Sequence, residues 1–513
     1  MASLTEVADN TPVIIGVGQY SERHQDDTYQ ALSHMDLAGN ALANAIADAG
    51  ANGDLAGAID TVCAIRQFEI SYAEAVAPFG KSDNPPRSIA KRVGANPRRA
   101  ILETTGGQAN QKMVGELAAE IASGDCQVAV IVGSEAISTV RKLLGQGETP
   151  DWSEEVGGQL EDRGFGMEWS SEPWSIKHGG RRPIEGYALA ENARRARLGL
   201  SLDAYRGKIG ELFAPFTKVA ANNPYAAAPV ERSAEELAAI TERNRIISEP
   251  YTRMTVSRDQ VNQGAALILA SAGKARELGV AEDKWVHIHA VSYARELLTL
   301  ERPDYGRSDA AGRSLDIALA RTGKFASDIS HFDFYSCFAI PVFNAIEHLA
   351  IEPDDPRGLT LTGGLPFFGG AGNNYSAHAI AEAVQRARTD RGSYTLVGAN
   401  GGVMSYYATG IYSTEPADWS GSDRYLNVPI SLHKMAVASE PFDAATVETY
   451  TLLTTSQGSR IIFFGRNDAG ERVVGNGDWS HEPTRALFEG GEPFGVRLLV
   501  RKNDEGVNVG RVA

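Results

Sequence analysis

From Val13 onward the chain alternates short β-branched apolar runs with helix-length amphipathic stretches, and it does so twice; no other feature narrows its fold as much. Val13 to Val17, Thr61 to Ile65, Ala100 to Thr104 and Cys126 to Gly133 read as strands. Helices fall between them at Asp36 to Ala49, near Ser88 to Val93, and from Gln111 to Ala122. Parallel neighbours need a crossover connection, and helices of this length supply one. The expectation is an α/β fold with parallel strands and helices on the sheet faces. A second round has strands at Trp285 to Val291, Phe332 to Tyr335, Leu359 to Leu361, Tyr394 to Val397 and Gly410 to Tyr412. Its helices are Ser314 to Arg321, Pro341 to His348 and Ser376 to Arg388, and no residue-level repeat accompanies the pattern.

Between the rounds, Lys142 to Pro250 is polar and rich in tryptophan and arginine, with helical stretches at Tyr187 to Leu198 and Ala234 to Ile246. It reads as a lid or insertion over the core. Beyond Pro416 short β-rich segments take over, at Thr446 to Thr454, Arg460 to Gly465, Arg472 to Val474 and Gly495 to Lys502, with glycine-bearing turns between them. A small all-β domain is expected there, and an OB-like barrel and a small sandwich carry the same signature.

Composition excludes several classes of function. The 49 Lys and Arg stand against 65 Asp and Glu, a net charge of −16, which argues against a protein that neutralises nucleic-acid phosphates. The apolar runs fall far short of a membrane span. Met1 to Asn10 lacks the basic start and apolar stretch of a secretory leader, so a cytoplasmic location is expected. Cys63, Cys126 and Cys337 are widely spaced and odd in number, which suggests free thiols. His287 and His289 share one strand face, but no carboxylate or cysteine at ligand spacing joins them, so no metal is expected. Gly16-Val-Gly18 lacks the third glycine of a dinucleotide fingerprint, and no cofactor is expected.

Four stretches carry a family resemblance. Glu103-Thr-Thr-Gly-Gly-Gln-Ala-Asn110, the helix after it, Ile121-Ala-Ser-Gly-Asp125 and Val128 to Glu135 together resemble the nucleophile region of thiolases. Counting back from Gly124 puts Gly107 where thiolases carry the nucleophilic cysteine. Gly133-Ser-Glu135 and Gln263-Gly-Ala-Ala266 support the same register. Tyr335-Ser-Cys-Phe-Ala339 resembles the family motif whose first residue helps to hold a catalytic water. Gly363-Gly-Leu-Pro-Phe-Phe-Gly-Gly370 follows the pattern that ends in the activating histidine, with Gly370 in its place, and Gly398-Ala-Asn-Gly-Gly402 resembles the second-cysteine loop, with Ala399 at the cysteine. With its β-rich tail, the chain is similar to thiolase-like proteins of type 1.

The resemblance implies a thiolase-like, five-layered fold of two βαβαβαββ-type halves plus the C-terminal domain. Residues 1–141 and 251–283 would form the first half, 142–250 the lid, 284–415 the second half and 420–513 the tail. It also implies an acyltransferase ancestry in lipid metabolism, with CoA or an acyl-CoA as ligand and family precedent leaning towards a homodimer.

Thiolase chemistry needs a thiolate to accept the acyl group, a histidine to raise the thiolate population and a second base. Gly107, Gly370 and Ala399 leave all three positions empty, so the expectation is thioester binding with little or no thiolase turnover. Residual chemistry would fall to Tyr335, Cys337, His378 and Tyr407, with Tyr375 and Tyr406 nearby. Asn373, Asn374, Gly401 and Gly402 are the candidate substrate contacts. Each has a plainer reading: Cys337 as a small buried apolar residue, His378 as a helix-core histidine, the asparagines as turn and cap residues, the tyrosines as filling. Two other functions compete. One is retro-aldol cleavage of a 3-hydroxyacyl-CoA by tyrosines, and the other is a non-catalytic scaffold whose tail docks an acyl-CoA-processing partner.

Overall fold

The computed structural model of the chain describes residues 7–166, 172–420, 424–428, 433–439, 441–455 and 458–513. Met1 to Glu6, on which the leader reading partly rests, lie outside them.

The first half of the core consists of β1 (Pro12–Ser21), α1 (His34–Ala49), β2 (Thr61–Ala64), β3 (Arg99–Leu102), α2 (Ala109–Ser123) and β4 (Val128–Glu135). An insertion carrying α3 (Pro183–Leu198) and α4 (Leu202–Asn222) follows, and then β5 (Gln263–Ser271). The second half contains β6 (Val286–Arg295), α5 (Asp309–Thr322), β7 (His331–Asp333), α6 (Ala339–Leu349), α7 (Tyr375–Thr389), β8 (Tyr394–Gly401) and β9 (Tyr406–Ser413). The strands lie in the order β3-β2-β4-β5-β1 in one half and β7-β8-β9-β6 in the other. Counted by place within its half, the second order repeats the first with its third strand missing. The halves join where Val13 and Ile14 of β1 pair with His287 and Val286 of β6.

Helix α1 packs outside β1, β4 and β5, and α5 packs outside β6 and β9. Between the sheets α2 and α7 touch each other and strands of both halves, which makes five layers. The Gly16-Val-Gly18 pair serves this stacking. A Cβ at Gly16 would lie 2.3 Å from the Ala45 carbonyl oxygen, and one at Gly18 2.1 Å from that of Ala41, so only glycine lets α1 lie so close on β1.

The expectation of parallel pairing needs correction. It holds for β2 with β3 and β4, and for β7 with β8. However, β5 runs antiparallel to β1 and β4, and β9 to β8 and β6. The link 402–405 between β8 and β9 is too short for a crossover, so that pair can only be antiparallel. The expected strand Leu359 to Leu361 does not form. Asp333 Oδ2 accepts from the Leu361 and Thr362 amides at 2.8 and 3.1 Å and from the Thr360 and Thr362 hydroxyls, which takes the donors a ladder would use.

In the insertion, the helix expected over Ala234 to Ile246 stops at Ala238. Asn244 Nδ2 donates to the Leu237 and Ala239 carbonyls at 3.0 and 2.8 Å and turns the chain there. Helix α4 has no counterpart in the sequence reading. It is capped by Ser201, whose Oγ accepts from the Ala204 amide, and it carries Pro215 inside it.

The tail comprises β10 (Ala444–Thr455), β11 (Gly458–Arg466), β12 (Arg472–Gly477), α8 (Glu482–Glu489), β13 (Arg497–Lys502) and β14 (Asn508–Arg511). Pairing runs β10-β11-β12-β14-β13 and back to β10, a closed ring of five strands. The strand-rich tail matches the all-β expectation, with one short helix, α8, whose buried Phe488 packs with Tyr450, Phe463 and Leu498 in the barrel core. The barrel docks on α3, where the fully buried Arg195 guanidinium donates to the Leu200 and Gly491 carbonyls and to Tyr450 Oη. Among the described residues no helix is long and apolar enough to cross a membrane.

Candidate functional site

Gly107 is buried immediately before α2, at the contact between the two halves. A Cβ placed there would lie 2.1 Å from Tyr335 Oη and 2.5 Å from the Asn400 carbonyl oxygen. Gly107, the position expected to match the thiolase nucleophile, therefore has no room for a side chain beside the Tyr335 hydroxyl and the Asn400 carbonyl. Gly370 repeats the arrangement. A Cβ there would meet Ser257 Oγ at 2.2 Å, and the segment carrying Ser257 is fixed by the Gly370 amide donating to the Arg258 carbonyl at 2.8 Å. Ala399 lines a chamber of about 30 Å³ with Tyr335, Asn400, Tyr407 and Thr409, room for a water molecule or two.

Around this centre the side-chain amide N–H groups are committed, whereas Tyr407 Oη, Asn374 Oδ1 and Asn400 Oδ1 are buried without a hydrogen-bond partner. Asn373 Oδ1 accepts from the Gly106 amide at 2.9 Å, while its Nδ2 donates to the Arg66 carbonyl at 2.6 Å. Asn374 Nδ2 donates to the Gly133 carbonyl at 2.7 Å. Ser376 Oγ donates to the Gly107 carbonyl at 2.6 Å and accepts from Asn110 Nδ2 at 3.2 Å. The starts of α2 and α7 are thus stitched together, and both candidate asparagines spend their amides on backbone. Gly401 packs on Gln108, whose Oε1 would lie 1.7 Å from an added Cβ. Gly402 presents its carbonyl to Tyr187 Oη at 2.9 Å.

Tyr187, from α3, is a site residue that sequence reasoning missed. Its hydroxyl also accepts from Asn400 Nδ2 at 3.0 Å, and its ring stacks on Phe338 at 4.4 Å. Cys337 lies against the same pair, and burial pushes its thiol up to about 12, so it stays protonated at neutral pH. Burial, with the charge of Cys337 a smaller cause, likewise raises the Tyr335 hydroxyl well above the ordinary tyrosine value. Tyr375 and Tyr407 are raised mainly by burial. Tyr375 bonds to Thr362 Oγ1 at 2.5 Å and to Asp333 at 3.3 Å, and Tyr406 stacks on Tyr293. His378 is not paired with Cys337: its Nδ1 bonds to Gln19 Oε1 at 2.7 Å, its ring packs on Phe368, and burial lowers its pKa to about 3. His287 and His289 are lowered to about 4 by burial, and among the described residues no group of three or more His, Cys, Asp or Glu could hold a metal ion.

The lid side of Ser257 opens into a cleft of about 490 Å³ that sequence reasoning also missed. Arg232, Arg243, Arg253 and Arg258 line it, with Phe367 on the apolar wall. Among the described residues none of the four guanidinium groups is in an ion pair; Asp259, on the same wall, is paired with Arg141 at 2.8 Å. Partial desolvation and the like charges of Arg253 and Arg232 push Arg258 below the usual arginine value. The arginine-rich composition of the insertion was the available signal, but only the fold brings residues 232, 243, 253 and 258 to one rim. A larger cleft, about 1150 Å³, lies between α1, α4 and α7, away from Gly107. Of its carboxylates, Asp48 and Asp355 are paired with Arg388 and Arg357, while Glu382 accepts from the Gln19 and Asn223 amides; Lys218 and Arg386, which also line it, are in no ion pair among the described residues.

No family model and no curated protein matches the chain. Among solved structures, a monomeric SCP2-thiolase-like protein type 1 from Mycobacterium smegmatis is 41% identical, with a TM-score of 0.82 over 99% of this chain and 100% of that one. An Ltp2-ChsH2(DUF35) aldolase is 19% identical with a TM-score of 0.57, covering 79% of this chain and 98% of that one. The dimeric peroxisomal thiolase of Saccharomyces cerevisiae is 16% identical with a TM-score of 0.56, covering 81% and 100%. The last two share the fold alone. The first, at that identity over the full length of both chains, shows that this chain belongs to the SCP2-thiolase-like proteins of type 1, within the thiolase superfamily.

Proposed function

We propose that the chain binds coenzyme A or its thioesters and does not turn them over by the thiol ping-pong route. The observation that carries this reading is the cleft at Ser257, where four guanidinium groups without carboxylate partners converge beside the position of the lost histidine. Arginine forks bind phosphate oxygens bidentately, and CoA presents phosphates at one end of a long, flexible arm. In a molecule of net charge −16, a local cluster of cations is a patch to which an anionic ligand can be drawn. The filled nucleophile position supports the second part of the reading, since an acyl-enzyme has no sulfur to form on and no space to occupy.

Retro-aldol cleavage by tyrosines has less support. A tyrosine acid or base works best with its pKa drawn towards neutrality, and burial moves Tyr335, Tyr375 and Tyr407 the other way. We also read the chain as a monomer, like its Mycobacterium smegmatis relative, rather than as a dimer. Its β3 edge is covered by the short strand Glu161–Asp162 and braced by Arg99 on Glu120 and Glu161, which blunts that edge for pairing with a second copy.

Titration calorimetry with CoA tests the binding. Micromolar to millimolar affinity that weakens at least tenfold in an Arg232→Ala/Arg258→Ala variant supports the reading. A folded protein that binds no CoA, or binds it equally well without those arginines, overturns it.

A further inference from the structure

We infer that the large cleft between α1, α4 and α7 is a ligand site in its own right, and that it takes a molecule with an apolar body and a single carboxylate.

At about 1150 Å³ the cleft is large enough to enclose a small organic molecule, since pockets for such ligands run from roughly 300 to 1,000 Å³. It shares no lining residue with the arginine-lined cleft at Ser257, so the two are separate places on the molecule. Its apolar surface comes from Val219 and Leu361 and from three prolines, Pro215, Pro224 and Pro356. Proline has no N–H, so at those three positions the backbone has no donor to offer. A ligand gains there by burying apolar surface of its own.

The charges around the cleft leave one positive charge without a counterpart. Asp48 is paired with Arg388 and Lys284, and Asp355 with Arg357. Glu382 is in no ion pair among the described residues; its Oε1 accepts from the Gln19 and Asn223 side-chain amides at 2.9 and 3.0 Å, which fixes the carboxylate against β1. Lys218 on α4 and Arg386 on α7 are exposed, and they too are in no ion pair among the described residues. Two unpaired cations against one unpaired carboxylate are balanced by one negative charge on the ligand. A carboxylate carries one. A phosphate monoester carries about 1.5 to 2 at neutral pH and would overshoot the balance beside Glu382. A carboxylate held between Lys218 and Arg386 leaves the rest of its molecule to lie against the apolar walls.

The test is titration calorimetry of the full chain with octanoate at neutral pH and low ionic strength. Octan-1-ol, which has the same body without the charge, and propionate, which has the charge without the body, are measured beside it. Octanoate that binds with a micromolar to millimolar Kd, at least fivefold more tightly than either control, supports the inference; no octanoate binding, or a control that binds as well, overturns it. Octyl phosphate should bind no more tightly than octanoate, and tighter binding overturns the single-charge assignment. In a Lys218→Ala/Arg386→Ala variant with native circular dichroism, octanoate affinity should fall at least fivefold, and an unchanged affinity overturns the placement. Should that variant not fold, Lys218→Gln/Arg386→Gln is measured against the same criterion. Saturating CoA should leave octanoate binding unchanged, and displacement of octanoate by CoA would overturn the separation of the two sites. Octanoate binding does not depend on whether CoA binds, so failure here and failure of the CoA reading are different results.

Discussion

Replacing Gly107 by cysteine would return a thiol to the start of α2, but the new Cβ would lie 2.1 Å from Tyr335 Oη and 2.5 Å from the Asn400 carbonyl. Overpacking of this kind in a close-packed interior costs about 1–3 kcal/mol. Gly107→Cys is expected to lose stability on that order in urea unfolding and to form no acyl adduct by mass spectrometry on incubation with acetyl-CoA. His378 gives a second residue-scale prediction. Burial holds its pKa at about 3, against an unfolded value near 6.5. Below about pH 6.5 the unfolded chain takes up a proton that the folded chain refuses. The stability due to the neutral ring is therefore complete above that pH and falls by about 1.4 kcal/mol per pH unit as the pH drops towards 3. In His378→Gln the stability should decline less steeply than in the parent, by about that amount per unit between pH 6.5 and 4.5. Parallel curves would mean that the ring titrates normally in the fold.

At the scale of elements, α3 connects the parts of the molecule. Tyr187 reaches the remnant centre, Glu191 accepts from Tyr205 and Tyr251, and Arg195 enters the barrel. Arg195→Met keeps the bulk but leaves the Gly491 and Leu200 carbonyls without their donor, at an expected cost of about 1–3 kcal/mol for each orphaned carbonyl. Hydrogen exchange should then rise in β10 and around Gly491 before it rises in β1 or β5; uniform protection would show that the barrel is held by other contacts. Much of this layout was legible in the sequence, because β1, α1, α2 and β4 have a clear period, and the glycines at 107, 370, 401 and 402 sit in recognisable motifs. The rest was not. Helix α4 was hidden by Pro215 and by glycines at 207 and 210, and Leu359 to Leu361 read as a strand because nothing local shows Asp333 taking its amides. Tyr187 and the arginine rim depend on how the insertion folds back, which is a long-range property.

For the whole molecule, the blunted β3 edge leads to a prediction of mass. Arg163 adds contacts to Glu103 and Glu161 there, so the edge is paired and charged rather than open. Sedimentation equilibrium at micromolar concentration should give the mass of one chain, and a dimer mass would require the edge to be uncovered or another face to pair. Salt belongs to the same scale. If the arginine rim carries the binding, CoA affinity should fall steadily with ionic strength, and an affinity that does not change with salt would count against the rim. The shared volume at Gly107 and Tyr335 has a historical consequence as well. A side chain at position 107 would need a smaller residue at 335 as well, so the two positions can only change together without loss of packing. For descendants of this chain, position 107 is held as glycine by its neighbour across the fold.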